Sequence, residues 1–149
     1  MEAVIFIGMQ ATGKSTFYQQ RFFRTHVRIS LDLLRTRYRE RLILDACLKT
    51  GQPFVVDNTN PRREDRSLYL TLARAAGFKI VGYYFQSRLA EALHRNSERA
   101  EAERIPERGL RGTHSRLELP SREEGFDELR YVRLVEPGGF LVEEWNDEI

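Results

Sequence analysis

The sequence predicts an α/β fold, a mostly parallel sheet with helices on both faces. Three observations lead there. Short apolar runs alternate along the chain with longer segments of helical period, the pattern that builds parallel sheets through crossover helices. A glycine-framed loop, "GMQATGKSTF" over Gly8–Phe17, follows the first apolar run directly. Two further segments, Ser30–Arg35 and Asp57–Asn60, also follow apolar runs. All three should therefore meet beyond the C-terminal strand ends, where such sheets bind ligands.

The elements follow in order. "AVIFIG" (3–8) is apolar, partly β-branched and closed by glycine, hence a buried strand. A helix should start in the loop near Gly13 and run through "KSTFYQQRFF". "HVRIS" (26–30) is a second short strand. From Leu33 to Lys49 the apolar residues Leu34, Tyr38, Leu42 and Ala46 recur at helical spacing, with Ile43 and Cys47 beside them, and Gly51 ends the segment. "PFVVDNTN" (53–60) is a third strand with an acid near its end. The next helix carries Asn60 as N-cap, Pro61 at its first position and Gly77 beyond its end. "FKIVGYYF" (78–85) is a fourth strand, followed by a helix around 88–103. "ERIPERGLRG" (103–112), charged and broken by glycine and proline, reads as a mobile loop. "LRYVRLVE" (129–136), a "PGG" turn and "FLVEEW" (140–145) give two last strands, paired as an edge hairpin.

Size and composition bound the function. The 149 residues suit one domain, 1–149, and 41% apolar with 31% charged residues fits a soluble globular chain. No apolar run approaches the ~20 residues of a membrane span, and the apolar start lacks a basic leader. Cys47 is the one cysteine, so no intrachain disulfide forms, and a cytoplasmic location is expected. His26, His94 and His114 are scattered, which speaks against structural zinc. Net charge is only +2, yet residues 21–41 hold seven arginines against two acids. Arginine forks suit phosphate; a codon bias toward arginine explains the composition equally.

The chemistry concentrates in four places. Gly8-x-x-x-x-Gly13-Lys14-Ser15, after a strand and before a helix, is a phosphate cradle. Its backbone N–H groups, Gly8, Met9, Gln10, Ala11, Thr12, Gly13, Lys14, Ser15 and Thr16, should wrap the phosphates of ATP at a helix N-terminus. Lys14 should reach the β- and γ-phosphates, and Ser15 should ligate Mg²⁺. Asp57 is placed to hold a metal-bound water or to orient Ser15, or else it starts the turn of "DNTNP". Asp32 and Arg35 lie three apart. The acid is suited to accept the proton of an attacking hydroxyl and the arginine to hold an acceptor phosphate. The pair equally fits a first-turn acid with its salt-bridge partner. Arg95 and Arg99, four apart, suit a clamp on the transferring phosphoryl group, or a solvated helix face, which is the reading for Arg104 and Arg108. They would belong to a lid over approximately 95–116.

Taken together, "GMQATGKSTF", "ISLDLLR", "VVDNTNP", "HRNSER" and "EEGFDE", in this order across residues 3–135, resemble the kinase domain of polynucleotide 5′-hydroxyl kinases. The resemblance implies a P-loop kinase fold and a γ-phosphate passed from ATP, with Mg²⁺, to the 5′-hydroxyl end of DNA or RNA. It implies Asp32 as general base, Arg35 on the 3′-side phosphate of the acceptor, and Arg95 and Arg99 as lid arginines. The chain departs from the family in carrying Gln10-Ala11-Thr12 where small residues are common, and Leu31 before Asp32. It has no Asp-x-Asp-x-Thr phosphatase signature. Two alternatives remain: a small-molecule kinase on a nucleoside, sugar or antibiotic hydroxyl, and a nucleotide-binding module with weak ATPase activity.

Overall fold

The computed structural model describes residues 1–136 and 138–147; Pro137 of the "PGG" turn lies outside them. Strands β1 (Glu2–Ile7), β2 (Val27–Ile29), β3 (Phe54–Val56), β4 (Lys79–Phe85), β5 (Glu128–Glu136) and β6 (Gly139–Glu144) form one sheet in the order β2-β3-β1-β4-β5-β6. The first five run parallel, and β6 returns antiparallel on β5, the expected hairpin. The helices are α1 (Lys14–Arg21), α2 (Leu31–Leu34), α3 (Arg37–Thr50), α4 (Arg63–Ala75), α5 (Leu89–Ser97) and α6 (Glu107–Arg116).

The strand period of two divides the core. Ala3, Ile5 and Ile7 of β1 face a layer with Leu44 and Cys47 of α3 and Tyr69, Leu70 and Ala73 of α4. Val4 and Phe6 face α1 with Phe17, Tyr18 and Phe22. The Phe6 ring lies 4.9–6.0 Å from Phe17, Phe22, Tyr83 and Phe85, an aromatic block beneath the cradle helix. A third cluster joins Met9 of the cradle to Ala92 of α5 and Leu110 of α6. Among the described residues, no helix is long and apolar enough to cross a membrane.

Four expectations need correction. The single helix over 33–49 is two. Arg35, at φ 73°, ends α2, and the Thr36 hydroxyl accepts from Arg39 N at 3.1 Å to cap α3. The stripe on α3 that packs is Glu40, Leu44 and Cys47; Tyr38 and Leu42 are 68% and 53% exposed. The acid can face inward because Tyr69 and Asn58 donate to it, as described below. Asn60 is not an N-cap. It takes a left-handed conformation (φ 43°), and its Nδ2 donates to Phe6 O at 2.7 Å, so the chain enters α4 only at Arg63. Finally, α5 stops at Ser97, and most of 103–112 is helical. Asn96 donates to Ile105 O (2.7 Å) and accepts from Ile105 N (2.9 Å), closing the loop between them. Pro106 then stands at the N-cap of α6, whose Leu110 and Thr113 are buried. Burial of one apolar face outweighs the two glycines of this segment.

The "EEGFDE" segment is a structural tie. Asp127 accepts from Ile80 N at 2.8 Å, and Glu124 takes both arms of Arg66, at 2.9 and 3.1 Å. Phe126 packs over Gly82 so closely that a Cβ there would stand 2.7 Å from its ring.

Candidate active site

The loop 8–13 is held by two outside segments and by a bond of its own. Gly8 N donates to Thr59 O at 3.0 Å and Met9 N to Ser87 Oγ at 2.9 Å, while Thr12 Oγ1 donates back to Met9 O at 2.8 Å. Gly13 enters α1 at φ 92°, and a Cβ on it would meet the Phe140 ring at 2.9 Å, so glycine is required twice over. Three non-glycine residues have positive φ among those described, Ala11, Arg35 and Asn60. Ala11 lines the site, where strained backbone tends to collect.

Lys14 Nζ donates to Gly8 O at 2.9 Å and also to Met9 O. Burial lowers its pKa from 10.5 to about 8; Asp57 and Asp32 oppose the shift, and Arg99 adds to it. Ser15 Oγ donates to Asp57 Oδ2 at 3.0 Å. Arg28 donates to both, from Nε to Asp57 Oδ2 at 2.9 Å and from Nη2 to Ser15 Oγ at 3.1 Å.

Lys14, Ser15 and Asp57 line one cleft of about 310 Å³ with Gln10, Ala11, Gly13 and Thr16 of the cradle, Asp32 of α2, Asn58 and Thr59 after β3, and Arg99. The three strand-end segments do meet there. Asp32 and Arg35 form no ion pair, and both side chains are exposed, because the turn at Arg35 takes them off a common helical face. Arg95 and Arg99 line a second hollow against Thr16, Gly13 and Leu134. Arg95 Nη1 donates to Ala11 O at 3.3 Å and pairs with Glu91 at 3.4 Å.

Several contributors lie outside the residues singled out from sequence. Asn58 is central among them. Its Oδ1 accepts from Leu31 N at 2.9 Å, capping α2 from across the cleft, and its Nδ2 donates to Glu40 Oε2 at 2.9 Å. Glu40 also accepts from Tyr69 Oη at 2.7 Å and from Arg37 Nη1 at 2.9 Å. Burial, reinforced by the Glu40 contact, raises the Tyr69 pKa, so the phenol stays a donor. Asn58 stands within the quoted "VVDNTNP", yet only the fold brings Glu40 to it. A charge inside the short strand "VRI" was the one visible sign of Arg28. Ser87 and the bond from Gln10 Nε2 to Thr113 Oγ1 (3.0 Å) left none.

A family model described as "AAA domain" matches residues 39–120, more than half of the chain. The chain belongs to the AAA domain family. The match begins after the phosphate cradle, so the cradle is independent support for a nucleotide site. A "Bifunctional polynucleotide phosphatase/kinase" from Schizosaccharomyces pombe is 29% identical over 135 residues, covering 88% of this chain and 33% of that protein. The chain thus spans about a third of the length of that relative. A gluconokinase from Sinorhizobium meliloti superposes with TM-score 0.65 at 17% identity, over 92% of this chain and 85% of that one. Chaetomium thermophilum Kti12 in complex with ADP-AlF3 does so with TM-score 0.66 at 16% identity, over 89% of each. At such identities the likeness is one of fold. This AAA domain protein has the P-loop kinase architecture, with the nucleotide-binding loop that goes with it.

Proposed function

We propose that this protein transfers the γ-phosphate of ATP to the 5′-hydroxyl end of DNA or RNA. The observation that carries the reading is that Asp32, Lys14, Asp57 and Arg99 share one cleft, while Arg35 stands exposed at the end of α2, the helix that carries Asp32. A carboxylate, a cradle lysine and an unpaired arginine are what hydroxyl activation, phosphoryl charge and an acceptor phosphate respectively require. The matched relative, a phosphatase/kinase that acts on polynucleotides by its printed name, supports the same acceptor class.

In this reading the cradle amides and Lys14 bind the triphosphate. Ser15 and Asp57 are the residues that would hold Mg²⁺, which neutralises phosphate charge. Their hydroxyl and carboxylate are hard oxygen donors, and no group of three or more His, Cys, Asp or Glu converges among the described residues. Phosphate and water would therefore complete the shell, as Mg²⁺ favours. Asp32 takes the proton of the acceptor hydroxyl as its oxygen bonds to the γ-phosphorus and the bond to the ADP oxygen breaks. Arg95 and Arg99 face the phosphoryl group in flight, and Arg35 holds the phosphate 3′ of the terminal nucleoside.

The small-molecule reading draws on the gluconokinase likeness and is the alternative outcome of the test. γ-Labelled ATP is offered with 5′-hydroxyl oligonucleotides, nucleosides, nucleoside 3′-monophosphates and sugars. Label is expected on oligonucleotides and on the 3′-monophosphate in preference to the bare nucleoside. Arg35→Ala should erase that preference, raising KM by roughly ten- to a hundred-fold, the worth of a charge-assisted bidentate contact. Label on sugars or nucleosides alone would establish the small-molecule reading instead.

A further inference from the structure

Arg28 is at the centre of β2, opposite Val55 of β3. Its two bonds, to Asp57 Oδ2 and Ser15 Oγ, close a ring with the bond between those two oxygens. These are the oxygens that would hold Mg²⁺. The Asp57 side chain is 2% exposed, and a carboxylate so enclosed needs a cation in contact. Lys14 does not touch it, because its ammonium is bound to the carbonyls of Gly8 and Met9. The contact charge that balances Asp57 is therefore Arg28.

A divalent ion held by Ser15 and Asp57 would need the same oxygens and would bring two positive charges. A guanidinium cannot shed its proton to make room. With both cations within contact distance of one carboxylate in a shielded site, each weakens the other's hold. Arg28 has a way out, since β2 is an edge strand and the arginine side chain is already 26% exposed.

We propose that Arg28 is the resident cation of the Ser15–Asp57 site and that the metal–nucleotide complex displaces it. The inference rests on the assignment of those two residues as metal ligands. It makes metal binding conditional. A free divalent ion meets a site already neutralised, whereas an ion carried by a triphosphate arrives with enough negative charge to replace the guanidinium. By linkage, whatever Arg28 takes from metal affinity in the absence of nucleotide reappears as coupling between metal and nucleotide.

Mn²⁺ is the probe, with free Mn²⁺ read by electron paramagnetic resonance on the full chain without and with ADP. Arg28→Met should tighten binding of Mn²⁺ alone by about ten-fold or more, with a melting temperature that rises on adding Mn²⁺. Arg28→Lys should keep the weak binding of the wild type, and Arg28→Met/Asp57→Asn should lose the gain. An Arg28→Met protein that binds Mn²⁺ no more tightly than wild type overturns the proposal. If instead Ser15→Ala and Asp57→Asn leave the Mn²⁺–ADP complex unchanged, the metal assignment itself fails and the proposal falls with it. Should Arg28→Met not fold, a crystal structure of the wild type with Mg²⁺ and ADP decides: a guanidinium withdrawn from Asp57 supports displacement, and one still bonded to both oxygens refutes it.

Discussion

Lys14 carries the sharpest single-residue consequence. Its ammonium is enclosed, and burial brings its pKa down to about 8 from 10.5. Between those two values the unfolded chain binds a proton that the folded chain has released, so this group makes stability rise with pH in that window. Nucleotide binding runs the other way. Bound phosphates favour the charged ammonium, so the complex holds the proton that the free protein loses above about pH 8. ADP affinity should therefore fall as pH climbs past 8, and binding there should take up part of a proton. Calorimetry at such a pH, in two buffers of different ionisation enthalpy, measures that uptake, and Lys14→Met should abolish it. Uptake that survives the substitution would assign the proton to another group.

At the scale of elements, α2 stands out, a four-residue turn too short to persist alone. Its first N–H is bonded by Asn58 from the far side of the cleft, and Asn58 is held in turn by buried Glu40. Asn58→Ala should let α2 drift and carry Asp32 with it. A misplacement near 1 Å costs transfer on the order of 10²-fold, and the expected loss here is in kcat, with ADP affinity kept. An equal loss in ADP affinity would place the effect in the cradle instead. This network also marks the limit of what the sequence reveals. The parallel sheet with its closing hairpin, the cradle and its flanking elements were legible because period, glycine and strand ends are local signals. The inward turn of Glu40 was not, since an acid on a helix reads as solvated until Tyr69 and Asn58, distant in sequence, are brought beside it. Helix α6 was hidden for a similar reason: Gly109 and Gly112 argue for a loop, and only Met9 and Ala92 beneath Leu110 argue against it. Of the site, Asp32, Lys14, Ser15, Asp57 and Arg99 were all anticipated as neighbours, whereas Arg28 and Asn58 act through bonds that no spacing announces.

For the whole molecule, one buried residue joins the parts. Arg66 is fully enclosed, and besides Glu124 it donates to the carbonyls of Asn60 (2.9 Å), Pro61 (3.3 Å) and Glu118 (3.1 Å). It thereby ties the loop after β3 to the chain returning from α6. Arg66→Met would leave the Glu124 carboxylate only Ser121 N at 2.9 Å and Arg63 at 3.9 Å, a cost of about 3 kcal/mol, lowering Tm by roughly 10 °C at this size. Thermal unfolding at neutral pH checks it, and Arg66→Met/Glu124→Leu should recover most of the loss.

The left-handed turn at Arg35 also bears on how such proteins diversify. It severs α2 from α3, so residues 30–36 form a short cassette between two independently anchored elements. The cradle is laced to Thr59 and Ser87, whereas the cassette's side-chain ties include those of Asn58 to Leu31 N and of Thr36 to Arg39 N. On the proposed function the cassette holds the acceptor-side residues Asp32 and Arg35. A lineage can then rewrite its choice of acceptor by exchanging one small segment, leaving the sheet and the donor pocket untouched. Grafting experiments have their natural junctions at Ile29 and Arg37.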